Sequence, residues 1–129
     1  MLTITPIPKE VIMSEAEKYP ELTSNGFNYA KSTGDSHTKK ARYQERECLW
    51  SGTGPLEIAY TIQYAKENRI SPDITSYGVK HSIERWSGAR GSYKYISNGY
   101  AILGLSIAGY EVILIDNSPN CFFRWKRQR

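Results

Sequence analysis

The sequence predicts an α+β fold in which a core of three helices is followed by a C-terminal β-hairpin, with an N-terminal extension ahead of that core. Three observations carry this. Residues 100–108 are almost wholly apolar, and Ile102, Leu103, Leu105 and Ile107 leave nearly no polar face, as in a deeply buried helix. Residues 112–115 then switch to Val-Ile-Leu-Ile, which is strand composition. Asp116-Asn117-Ser118-Pro119-Asn120 is dense turn chemistry, and Cys121-Phe122-Phe123-Arg124-Trp125 follows as a second strand candidate, so strand, turn and strand read as a hairpin over 111–126.

Along the chain, Leu2, Ile4 and Ile7 alternate with Thr3 and Thr5, a possible short strand. Pro8 suits the start of a helix over Lys9–Tyr19, with Val11, Ile12, Ala16 and Tyr19 as a partial apolar stripe, and Pro20 stops it. Thr23 to Gly26 is turn chemistry, and Phe27, Tyr29 and Ala30 give a weak strand pattern. His37 to Glu47 is rich in charge and reads either as a solvated loop or as a short exposed helix. Ser51 to Gly54 is a flexible lead into a helix at 55–68, whose two apolar faces (Ile58, Ile62 and Ala65 on one, Leu56, Tyr60 and Tyr64 on the other) both require a neighbour.

Asp73 or Thr75 can cap the next helix, 76–86, where Val79, Ile83 and Trp86 form the inward stripe and Lys80, His81, Glu84 and Arg85 project away from it. Gly88 and Gly91 flank a linker holding Arg90 and leading to Lys94. Ser97 or Asn98 is a good N-cap for the buried helix at 98–108, because a short side-chain oxygen can accept from an orphan N–H of the first turn. Gly104 in mid-helix points to close backbone packing, and Gly109 is placed to end the helix.

The length, 129 residues, suits a single domain, divided here into an extension at 1–50 and a core at 51–129. A formal charge of +4 and a pI near 9.1 permit an acidic partner without requiring one. Cys48 and Cys121 are the only cysteines and are expected as free thiols in a cytoplasmic protein. No basic region with a long apolar run follows Met1, and no apolar segment approaches a membrane span. His37, Cys48, His81 and Cys121 lack the paired spacings of a zinc site, so no metal is expected. Nucleophile-elbow and metalloprotease motifs are absent, and Ser51-Gly52-Thr53-Gly54 lacks the Gly-Lys-Ser/Thr ending of a phosphate loop. The expectation is therefore a non-enzyme without a cofactor, an uncharacterised enzyme being one alternative.

The order of three helices and a hairpin resembles the winged helix-turn-helix fold, and Leu105-Ser106-Ile107-Ala108-Gly109-Tyr110-Glu111-Val112 is similar to the place where such a domain's third helix enters its wing. Two departures stand out. The linker 87–96 is longer than the usual short turn, and the third helix has no Lys, Arg or Gln, so only Ser97, Asn98 and Tyr100 are available to reach a base edge. The runs Tyr77-Gly78-Val79-Lys80-His81, Tyr95-Ile96-Ser97-Asn98-Gly99 and Ser118-Pro119-Asn120 resemble those of small uncharacterised accessory proteins of plasmids and prophages.

The function read from the residues is binding of nucleic acid or a nucleoprotein complex. Lys80, His81, Arg85, Arg90 and Lys94 would form one cationic cluster, and Arg124, Lys126 and Arg127 a second beside the wing, with aromatic neighbours able to stack on bases. The alternative is a protein-binding module, such as an inhibitor of a host defence complex, using the chain's ten tyrosines.

Overall fold

A computed structural model of the chain describes residues 3–27 and 46–126. Among these residues, four helices and two small antiparallel hairpins make an α+β fold. In chain order these are α1 (Lys9–Ala16), β1 (Leu22–Thr23), β2 (Gly26–Phe27), a 3-10 turn (Cys48–Trp50), α2 (Gly54–Glu67), α3 (Ser76–Ala89), α4 (Asn98–Ile107), β3 (Tyr110–Leu114) and β4 (Cys121–Trp125).

Most elements pack on α4. Nine of its ten residues are buried, and α1, α2, α3, β2 and β3 all lie against it. Ile102, Leu103 and Leu105 are fully enclosed, each worth about 1.5–3 kcal/mol of burial. Gly104 is required by α2: a Cβ there would stand 2.7 Å from the Thr61 side chain and 3.2 Å from the Ile58 carbonyl oxygen. Gly109, at φ +112°, then turns the chain from α4 into β3. The hairpin pairs Tyr110 with Trp125 and Leu114 with Cys121, and Asn117 in its turn has positive φ.

The N-terminal extension belongs to the same core. Ile12, Ala16, Leu22 and Leu49 are fully buried in one cluster with Ile58, Ile83, Ile102 and Phe123. The β1–β2 turn is pinned to α4 by Gly99 N–H donating to the Ser24 carbonyl at 2.9 Å. Arg46 closes the end of α1 by donating to the carbonyls of Ala16 (2.6 Å), Tyr19 (2.8 Å) and Leu22 (2.9 Å).

Several expectations change. Residues 3–7 form no strand; Ile7 N–H instead donates to the Pro55 carbonyl at 3.1 Å. Helix α1 ends at Ala16 rather than Tyr19, and Val11 faces solvent while Ile12 faces the core. Helix α3 continues past Trp86 to Ala89, which shortens the linker, because the buried Ser87 hydroxyl donates to the Glu84 carbonyl and accepts from Lys94 N–H. The expected features at 28–45, including most of the charge-rich stretch, and Arg127 lie outside the described residues.

Candidate functional site

The residues expected to bind nucleic acid are dispersed. Ser97 occupies the N-cap position of α4 but makes no side-chain cap. The first-turn N–H of Gly99 is met by the Ser24 carbonyl at 2.9 Å instead, and just ahead of the helix two buried carboxylates take backbone donors: Glu57 accepts from Ser97 N–H at 2.8 Å, and Glu84 accepts from Ile96 N–H at 3.0 Å. Asn98 is buried, and its amide donates to the Asn25 and Pro119 carbonyls (3.3 Å each) and to Asn120 Oδ1 (2.9 Å), tying both turns to α4. Tyr100 is buried, and its hydroxyl donates to the Cys48 carbonyl at 2.8 Å. Burial, with Glu57 nearby, pushes the Tyr100 phenol well up from its ordinary range. Asn98 and Tyr100, expected at the surface, are buried and bonded within the chain.

Lys80 is corrected as well. It is only 5% exposed, and its ammonium group lies 3.0 Å from Glu84, itself 6% exposed. His81 Nδ1 lies 3.0 Å from the other Glu84 oxygen. Burial alone would raise the Glu84 carboxyl, but the Ile96 N–H, Lys80 and His81 outweigh it and hold the group below the ordinary carboxylate range. A helical wheel places Lys80 and Glu84 off the apolar stripe. The segment after α3 covers them by running back along the helix, from Lys94 N–H on Ser87 to Ile96 N–H on Glu84.

Of the remaining cations, Arg90 and Arg124 are paired. Arg90 bonds Glu67 and lies over the Trp86 ring, whose N–H also donates to Glu67. Arg124 donates twice to Glu111, at 2.7 and 3.0 Å. Arg85 donates to Ser82 and, like Lys94 and Lys126, has no ion pair among the described residues. Those residues contain eleven Lys and Arg against eleven Asp and Glu; in sequence, the formal excess of +4 comes from six basic and two acidic residues at 28–45 and 127–129.

What the same region does present is a row of tyrosines. Tyr77, Tyr95 and Tyr93 are 55%, 59% and 64% exposed. The Lys80 ammonium sits between the first two, 5.7 Å from the Tyr77 ring centre and 4.6 Å from that of Tyr95. Tyr77 also meets the His81 ring edge-on at 4.6 Å. Tyr93 lies over Gly88, where a Cβ would touch its ring at 3.4 Å. From Gly78 to Gly88 α3 rises about 15 Å, so the row spans about three helical turns. The tyrosine count hinted at such a surface, but only the return of residues 92–97 along α3 aligns Tyr93 and Tyr95 with Tyr77.

Among the described residues no group of three or more His, Cys, Asp or Glu could hold a metal ion, and no helix is long and apolar enough to cross a membrane. No protein-family model matches the chain, and neither the curated proteins nor the solved structures contain a match.

Proposed function

We propose that this chain is a protein-binding module and that the tyrosine row on α3 is its contact surface. The observation that carries this reading is the exposure of Tyr77, Tyr93 and Tyr95 along one flank, with His81 against Tyr77, over the buried ion pair of Lys80 and Glu84. Tyrosine and arginine are the residues that dominate binding energy at interfaces, because they bury much area with little rotamer loss. The helix order followed by a hairpin supports a winged-helix-like arrangement in which the third helix is the core and the second carries recognition.

The test uses the intact chain as bait, wild type against Tyr77→Ser/Tyr95→Ser, in nuclease-treated extract. The variant gives up two ring faces over Lys80, about 0.5–1 kcal/mol each, so it should melt slightly below the wild type yet stay folded, while losing a partner that the wild type retains; two hot-spot truncations would cost about 100-fold or more in affinity. Retention by both proteins alike would remove the row from the interface.

A second reading keeps nucleic acid or a nucleoprotein complex as the partner. Lys94, between Tyr93 and Tyr95 in sequence, and Arg85 on α3 have no ion pair among the described residues and would suit a single strand stacked on the tyrosines. With about two phosphate contacts the log–log salt slope would be shallow, about −1.4 to −1.8, and an oligonucleotide titration at several salt concentrations distinguishes this from the protein reading.

A further inference from the structure

The open edge of β3 is a second place where another chain can be held. Lys126 N–H donates to the Gly109 carbonyl at 3.2 Å, which makes 109 and 126 a hydrogen-bonded pair of the ladder. Antiparallel pairing alternates, so Glu111 with Arg124 and Ile113 with Phe122 are the next such pairs. The N–H and C=O groups of Val112 and Leu114 therefore point away from β4. No described residue bonds to them. The far edge of β4 differs, because there Cys121 N–H donates to Ser76 Oγ at the start of α3.

Side chains along this open edge are also incompletely covered. Tyr110, Phe123 and Cys121 share the inward face of the hairpin and are buried, yet Leu114 on that face is 65% exposed. Beside it lies a cavity of about 430 Å³ whose apolar wall is Tyr19, Pro20, Phe27, Val112 and Leu114. A second cleft, about 540 Å³, shares Tyr19 and Val112 with the first, so a groove follows the whole strand. At the hairpin-turn end stand Glu21 and Asp116, neither in an ion pair with a described residue, whereas Lys18 is held by Glu15 at 3.1 Å.

We propose that an extended segment of a partner protein adds to β3 as a third strand. Val112 and Leu114 would exchange up to four backbone hydrogen bonds with it, alternate apolar side chains would fill the groove over Tyr19 and Phe27, and a Lys or Arg would meet Glu21 and Asp116. Backbone bonding of this kind gives affinity, and the groove gives sequence preference. A second copy of β3 is the wrong occupant, since its only charge is Glu111 and it brings no base to the acidic end. The inference does not depend on the tyrosine row, and Tyr77→Ser/Tyr95→Ser should retain strand addition.

The experiment selects a displayed library of random linear dodecapeptides on the wild-type chain and counter-selects on Leu114→Pro. Proline at 114 removes an N–H that points outward, so the hairpin keeps its own ladder, as edge positions allow. Enriched peptides should alternate apolar residues and carry a base near one end. A synthetic consensus peptide should lose at least tenfold in affinity on Leu114→Pro and severalfold on Asp116→Asn. Should Leu114→Pro fail to fold, N-methylation of the peptide at alternate residues leaves the protein untouched. Methylation in one phase should abolish binding, and in the other phase it should not. Failure to enrich any such peptide, or indifference to the phase of methylation, overturns the proposal. A wild-type dimer in sedimentation that Leu114→Pro dissolves would replace the foreign segment with a second copy and overturn it equally.

Discussion

Removing the Glu84 carboxylate should be among the most damaging single changes in the molecule. In Glu84→Ala the Lys80 ammonium, 5% exposed, is left with only the Tyr77 and Tyr95 ring faces, and the Ile96 N–H loses its acceptor. Breaking a buried pair by deleting one partner costs about 3–5 kcal/mol. With a urea dependence of about 2 kcal/mol per molar, the unfolding midpoint should fall by about 1.5–2.5 M. The double variant Lys80→Met/Glu84→Gln removes the stranded charge and keeps an oxygen for Ile96, so it should be more stable than Glu84→Ala alone. Equilibrium urea unfolding followed by tryptophan fluorescence measures both. An exposed pair at this spacing contributes only about 0.3–0.5 kcal/mol. A midpoint loss below about 0.3 M would therefore mean that Lys80 and Glu84 stand in water, and the account of the tyrosine surface above them would fail with it.

Other consequences follow from the same structure. Glu84 is held below its ordinary pKa of 4.5, so its contribution is complete above that pH and is lost as pH falls below it toward the lowered value; Lys80 and His81 on α3 are the titratable groups facing it, and Glu84→Gln should flatten the acid limb of a stability–pH curve. Gly104→Ala drives a methyl group into Thr61 and should cost about 1–3 kcal/mol in thermal or chemical unfolding. Arg46→Met removes three bonds to the carbonyls of Ala16, Tyr19 and Leu22, the first two of which keep a backbone donor, and should cost about 1–3 kcal/mol. Cys121, whose thiol burial raises to about 12, should resist a thiol reagent at pH 8 until the protein is denatured, while exposed Cys48 reacts at once; two thiols in denaturant confirm that they are unpaired.

Legibility in the sequence followed the range of the interactions. Helix α4, the hairpin and the two-faced burial of α2 could be read from local composition, because apolar density at those positions has no other outlet. Gly104 as a close-approach site was also legible, since a glycine inside so apolar a helix has little else to do. Burial of Lys80 and Glu84 was not, because it comes from a segment ten residues onward folding back over α3. The three carbonyls capped by Arg46 lie 24 to 30 residues away, and no local pattern announces them. Ser97 and Asn98 were legible as the start of α4 but not in their roles, because the Ser24 carbonyl, from a turn far back in the chain, supplies the acceptor that a capping side chain would have offered to Gly99 N–H.

The same reach of contacts decides what the net charge means. Read as a string, the cations of α3 and its linker form a cluster. In the fold, Glu84 takes Lys80 and approaches His81, Glu67 takes Arg90, and Glu111 takes Arg124, which leaves Arg85 and Lys94 in that region without an ion pair among the described residues. Two of these carboxylates also order aromatic surroundings: Glu67 accepts from the Trp86 N–H, and Glu84 holds the Lys80 ammonium between Tyr77 and Tyr95. Paired charge on this flank orders aromatic rings, and the proposed protein-binding surface rests on that ordering, with Arg85 and Lys94 left over as its charged contacts.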